Sequence, residues 1–218
     1  MESMNRYRRV CLRGLVAAAA LMLAAAAQPA SGQNPPPVIL VVGDSLSAEY
    51  GLPRGTGWVA LLEAQLRKQG FSHRVVNASI SGETSSGGAA RIERLVQQHK
   101  PSVLLIELGA NDALRGLSLA ATDANLTRMI RTGQRAGARV LLVGMEVPPN
   151  YGAQYTQQFR QTFTTVASRE KISLVPFLLE GFAADQSYFQ ADRIHPNEKA
   201  QPRMLATVWP SLSRLLKS

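Results

Sequence analysis

Four short segments of the chain carry residue types suited to acyl transfer. In Gly43-Asp44-Ser45-Leu46-Ser47 a glycine permits a sharp turn that would set the Ser45 hydroxyl at the mouth of a crevice. A serine in a glycine turn more often caps a helix. Ser47 also stands where a Gly-x-Ser-x-Gly elbow needs its second glycine, so this segment alone names no nucleophile. Ser79-Ile80-Ser81-Gly82-Glu83-Thr84 has two readings: Ser81 caps the next helix, or Gly82 presents a bare backbone N–H to a developing oxyanion. Leu108-Gly109-Ala110-Asn111-Asp112 supplies Asn111, whose amide donates hydrogen bonds without carrying charge, though it would serve equally as a turn residue. In Asp192-Arg193-Ile194-His195-Pro196-Asn197 the aspartate precedes the histidine by three residues. On one helical turn the two would face the same way, Asp192 holding one imidazole nitrogen while the other faces Ser45. Pro196 biases His195 away from helix and into a loop. The other histidines, His73 and His99, fall in helix-to-strand connections and read as surface residues.

The elements that must position these segments alternate. Val38–Val42, Arg74–Val76, Val103–Leu108, Arg139–Val143 and Ile172–Pro176 read as strands, most of them too apolar to be half exposed. Trp58–Gln69, Thr84–Gln98, Thr122–Ala136, Tyr155–Arg169 and Asn197–Leu216 carry helical periodicity, with Gly70, Pro101 and Gly137 as stop signals. Pro202 fits the last helix only where that helix starts or kinks. Repeated βα units imply an α/β fold with a parallel sheet covered by helices on both faces. Ligands then bind at loops following the carboxyl ends of the strands, where three of the four segments lie. Trp58 and Trp209 recur with leucines at helical spacing and read as core.

Composition sets the compartment. Arg6, Arg8, Arg9 and Arg13 precede an apolar run from Leu15 to Ala27, too short to span a bilayer and ending in small residues, as a secretory signal does. Residues 1–27 therefore read as a signal peptide, with Ala30 a second possible cut site, 28–37 as a flexible leader and 38–218 as one domain, periplasmic or secreted once the signal is removed. The only cysteine, Cys11, falls in the signal, so a mature chain has no disulfide, no thiolate metal site and no cysteine nucleophile. Four arginines less Glu2 account for +3 of the formal +9, leaving a modestly basic +6. Arg128, Arg131 and Arg135 recur at helical spacing and read as a solvated face, not a nucleic-acid stripe. The basic balance leaves room for transient attraction to lipid headgroups.

Together the four segments resemble the SGNH branch of the GDSL hydrolases, whose block residues would here be Ser45, Gly82, Asn111 and His195 in the family's chain order. The flanking text is similar to the periplasmic thioesterase, lysophospholipase and arylesterase subgroup from about Val38 to Pro202. The resemblance implies a three-layer α/β/α flavodoxin-like fold of about five parallel strands. It also implies cofactor-free, metal-free hydrolysis of small-molecule acyl esters or thioesters: aryl esters, acyl thioesters or lysophospholipids. By the same carry-over Ser45 attacks, His195 is base and then acid, Asp192 orients His195, and Ser45 N–H, Gly82 N–H and the Asn111 side chain form the oxyanion hole. Glu49 departs from the small residue many relatives carry there, and Glu83 from an aspartate. The region after Asn111 shapes acyl-chain binding in the subgroup, so Leu114 and Leu117 are candidate substrate contacts, with packing under the loop as the alternative. Met145, Pro148, Pro149 and Tyr151 pose the same choice. A carbohydrate deacetylase and a non-catalytic lipid-binding module are the rival functions this fold allows. Oligomeric state is not legible in the sequence.

Overall fold

The structure is a computed structural model and describes residues 35–217. The signal segment, both cleavage positions, Cys11 and the leader up to Asn34 lie outside the described residues. From Val38 onward the chain alternates strand and helix. The strands are β1 (Val38–Gly43), β2 (Arg74–Asn77), β3 (Val103–Glu107), β4 (Arg139–Val143) and β5 (Ser173–Val175). The helices among the described residues are α1 (Trp58–Lys68), α2 (Ser85–His99), α3 (Ala110–Leu114), α4 (Leu119–Arg135), α5 (Ala153–Glu170) and α6 (Gln201–Lys217). The strands pair in parallel in the order β2-β1-β3-β4-β5, so the connections reverse direction between β1 and β3. That reversal opens a crevice above the carboxyl ends of those two strands.

The burial pattern follows from position in the sheet. β1 and β3 sit centrally with helices on both faces, and every residue of each is buried. Most strands are buried as expected, and the exceptions are the edge strands β2 and β5, which keep partly exposed residues. Helices α1 and α6 pack together, while α4 packs between α2 and α5. Trp58, Leu62 and Leu66 of α1 and Met204, Val208 and Leu212 of α6 project into the core, as their spacing predicts.

Local punctuation differs from the sequence reading in two places and meets it at Pro202. The cap of α2 is Thr84, whose hydroxyl accepts from the Gly87 N–H, so Ser81 does not cap it. Pro202 lies in the first turn of α6, where a missing N–H costs no intrahelical bond; the proline inside that helix is Pro210. The five-residue helix α3 follows no apolar period, being shorter than any window in which a period can be read. At the exit of β4, the Gly144 N–H donates to the Val175 carbonyl and its own carbonyl accepts from Leu178. A methyl group there would meet the Pro176 carbonyl oxygen at 2.3 Å, and backbone cannot retreat as a flexible side chain can. Gly144→Ala is expected to cost roughly 1–3 kcal/mol, read as a lower urea midpoint; an unchanged midpoint would show that the two segments separate freely.

Candidate active site

Ser45 sits in the turn directly after β1. The turn is held by Ser47 N–H and Ala48 N–H on the Asp44 carbonyl and by the Leu46 N–H on Asp44 Oδ1 at 3.0 Å. Gly43 precedes it because a β-carbon there would lie 2.8 Å from Glu107 Oε2 and 2.9 Å from Ser47 Oγ. His195 lies 150 residues further on, with Nε2 3.0 Å from Ser45 Oγ and Nδ1 2.6 Å from Asp192 Oδ2. The other Asp192 oxygen accepts from the backbone N–H of Ile194 and His195. Burial would raise the Asp192 pKa, but those two bonds and the imidazole outweigh it and draw the carboxyl down to about 2.

The Asp192–His195 segment is not a helical turn, as its spacing suggested. It is the tip of a hairpin-like loop, closed by Gln190 N–H on the His195 carbonyl and by a bridge between Phe189 and Pro196. Arg193 takes φ +59°, and the Asp192 side chain caps the turn by accepting both following N–H groups. The Gln190 amide ties this loop to the Tyr50 carbonyl at 2.8 Å, and the Tyr50 ring lies against the imidazole with centroids 4.4 Å apart.

Gly82 takes φ +77°, a conformation that favours glycine. Among the described residues no protein acceptor takes the N–H of Ser45 or of Gly82. Asn111 stands in the first turn of α3, held there by Gly109 at φ +122° before it and by buried Asp112 after it. Asp112 accepts from the Ser85 N–H at 2.8 Å, the Ser85 hydroxyl at 2.5 Å and the Thr122 hydroxyl at 3.2 Å, so the starts of α2, α3 and α4 are locked together. The Asn111 amide donates to Asp44 Oδ2 at 3.1 Å and to the Glu83 carbonyl at 3.0 Å. Both amide hydrogens are thus engaged, so any further acceptor would compete with Asp44 or the Glu83 carbonyl for one of them. Such a cluster of hydroxyl, imidazole and aimed N–H donors is suited to attack on an acyl carbonyl.

A model of the GDSL-like lipase/acylhydrolase family matches residues 41–202, the stretch that holds Ser45, Gly82, Asn111, Asp192 and His195. The chain belongs to the GDSL-like lipase/acylhydrolase family. The similar proteins include esterase TesA of Pseudomonas aeruginosa, 51% identical over 81% of this chain and 88% of that protein. They also include thioesterase 1/protease 1/lysophospholipase L1 of Escherichia coli K12, 39% identical over 75% of this chain and 77% of that protein. A crystal structure of TesA superposes with a TM-score of 0.80 at 50% identity, covering 82% of this chain and 99% of that one. The GDSL-family fold expected from the sequence, a five-stranded parallel sheet between helices, is the one observed.

Of the residues considered as substrate contacts, Leu114, Leu117 and Tyr151 are exposed, not packed beneath a loop, and Met145 is buried. Tyr50, Ile80 and Ile194 are further exposed apolar side chains that the sequence reading passed over. Glu49, with φ +60°, turns its carboxylate into the neighbouring loop, where it accepts from the N–H of Gly55 and Gly57 at 2.8–3.0 Å. That carboxylate thus closes the loop on itself. Glu83 pairs with Arg91. His73 is half-buried rather than on the surface, and Trp58 is fully buried.

Two buried acids at the Ser45 turn were also missed. Glu107 Oε2 accepts from the Ser47 hydroxyl at 2.7 Å and from the Asp44 N–H at 3.3 Å, while Oε1 is buried without a partner among the described residues. Burial, and then the Asp44 carboxylate beside it, push Glu107 well above the usual carboxylate range. Asp44 is pushed up to about 6, again by burial first, against the Leu46 N–H, His195 and Asn111 that favour its charged form. The one legible signal was a glutamate inside the apolar run Val103–Leu108. A carboxyl whose folded pKa is raised stabilises the fold below its unfolded pKa, and that contribution is lost as pH rises through about 6. Asp44→Asn cannot ionise, so between pH 4 and pH 8 its stability should gain on the parent's by on the order of 2 kcal/mol. Urea midpoints at both pH values measure this, and parallel pH dependences would contradict it.

Proposed function

We propose that the protein is an exported serine hydrolase that cleaves single-chain acyl esters and thioesters through an acyl-Ser45 intermediate. The observation that carries this reading is the 3.0 Å contact between Ser45 Oγ and His195 Nε2, with the other imidazole nitrogen 2.6 Å from Asp192. His195 Nε2 removes the hydroxyl proton as Ser45 Oγ attacks the acyl carbon. Asp192 fixes the imidazole orientation and stabilises its charged form. Charge developing on the carbonyl oxygen is received by the N–H of Ser45, the N–H of Gly82 and the Asn111 amide. Collapse expels an alkoxide or thiolate that takes the proton back from His195. A water molecule, deprotonated by the same imidazole, then releases the acid.

The names of the similar proteins, esterase and thioesterase 1/protease 1/lysophospholipase L1, support this substrate range. The exposed Leu114, Leu117 and Tyr151 suit an apolar acyl chain and brief contact with lipid surfaces. Residues 1–27 act as the export signal and 28–37 as a leader before the hydrolase domain at 38–218, which places the mature enzyme in the periplasm or outside the cell.

Loss of one oxyanion donor typically costs ~10²–10³ in turnover. Asn111→Ala is therefore expected to lower kcat for nitrophenyl esters by roughly that factor while the protein stays folded. Near-normal turnover would remove Asn111 from the site. In the unaltered protein, decanoyl esters should exceed acetyl esters in kcat/KM; the reverse order would favour a deacetylase.

A further inference from the structure

Residue Arg115 follows Asn111 by four positions, so the two side chains leave the same face of α3 and its C-terminal turn. Both reach the same neighbouring segment. The Asn111 amide donates to the Glu83 carbonyl at 3.0 Å, and Arg115 Nη2 donates to the Gly82 carbonyl at 2.9 Å. Helix α3 thus grips two successive carbonyls of the loop that carries the Gly82 N–H. A β-carbon placed on Gly82 would lie 3.6 Å from Arg115 Nη2, so the guanidinium stands over that glycine.

The chemistry of Arg115 is incompletely used. Its side chain is exposed, its backbone N–H closes the helix on the Asn111 carbonyl, and among the described residues no carboxylate pairs with it. By contrast Arg91, Arg128, Arg131, Arg160 and Arg169 each have a carboxylate partner. A guanidinium presents five donors in a planar fork, and a single neutral carbonyl leaves most of them open to an anion. Leu114, the last residue of α3, and Leu117 in the loop that follows are both exposed on either side of it in sequence. An apolar pair around one uncompensated cation fits an amphiphile whose anion lies close to its acyl ester.

We propose that Arg115 is a specificity-determining residue that receives the phosphate of an acyl glycerophosphate and so favours that ester over its neutral acylglycerol counterpart. Three glycerol carbons separate the scissile ester oxygen from the phosphate ester oxygen in such a substrate, so the phosphate stays near the oxyanion loop. In an acyl-CoA the phosphates lie beyond the whole pantetheine arm, out of reach of a side chain anchored on Gly82. The inference rests on the hydrolase reading above and narrows its substrate class.

The test compares 1-decanoylglycerol 3-phosphate, 1-decanoylglycerol and decanoyl-CoA on the parent, Arg115→Gln and Arg115→Lys. The readout is the ratio of kcat/KM for the phosphate ester to that for neutral decanoylglycerol, which cancels any common effect of loosening the Gly82 loop. Arg115→Gln should lower that ratio roughly tenfold, the size expected for one charge-assisted bond at an exposed position, and Arg115→Lys should retain part of it. The parent ratio should fall as salt rises, and the Arg115→Gln ratio should not. A ratio unchanged in Arg115→Gln overturns the proposal, leaving Arg115 as a brace for the oxyanion loop. An equal fall for decanoyl-CoA also overturns it, since that would reflect general attraction of anions. Should the parent cleave none of the three, the hydrolase reading itself fails, a result distinct from either.

Discussion

Everything in the site depends on one hydrogen bond that joins Ser45 to His195 across 150 residues. The two ends are delivered by different means. Ser45 leaves a strand whose six residues are all buried, so its turn is as fixed as the sheet itself. His195 has no strand beneath it; its loop is held by its own hairpin bonds, by Gln190 on the Tyr50 carbonyl and by Tyr50 against the imidazole. Loop sites reach the needed precision only when other elements over-determine them, and here the Ser45 loop itself supplies that restraint through Tyr50.

The remaining donors follow from the strand order. With β1 between β2 and β3, the loops after all three strands open onto one crevice, and Ser45, Gly82 and Asn111 each come from one of them. Beneath that crevice the fold keeps two carboxyls out of water. Burial disfavours charge on both, and Glu107 beneath Asp44 orders the turn through the Ser47 hydroxyl and the Asp44 N–H. Asp44 in turn holds the Asn111 amide. The donor proposed for the oxyanion is thereby aimed before any substrate arrives, at the cost of a competing acceptor beside it.

The sheet was legible because buried parallel strands are short apolar runs, and β1, β3 and β4 were read within a residue of their ends. The site was legible in residue type and order, since glycine, serine, asparagine and histidine each recur where a strand ends or a loop meets a helix. The geometry behind it was not. Spacing suggested a helical turn for Asp192 and His195, because i, i+3 spacing is shared by helices and by tight turns, and only Arg193 at positive φ separates them. Asp44 read as part of a turn, though its burial depends on a glutamate 63 residues away. Tyr50 and Arg115 carried no periodic signal, being ordered by single contacts to carbonyls and a ring that no local pattern announces.

The reading proposed for this site stands on the Ser45 hydroxyl being the group that His195 activates. Labelling with a fluorophosphonate, followed by mass spectrometry of the modified peptide, tests it most directly. One adduct is expected, on Ser45, forming far more slowly in His195→Ala. An adduct on another residue, or labelling undiminished in Ser45→Ala, would contradict it.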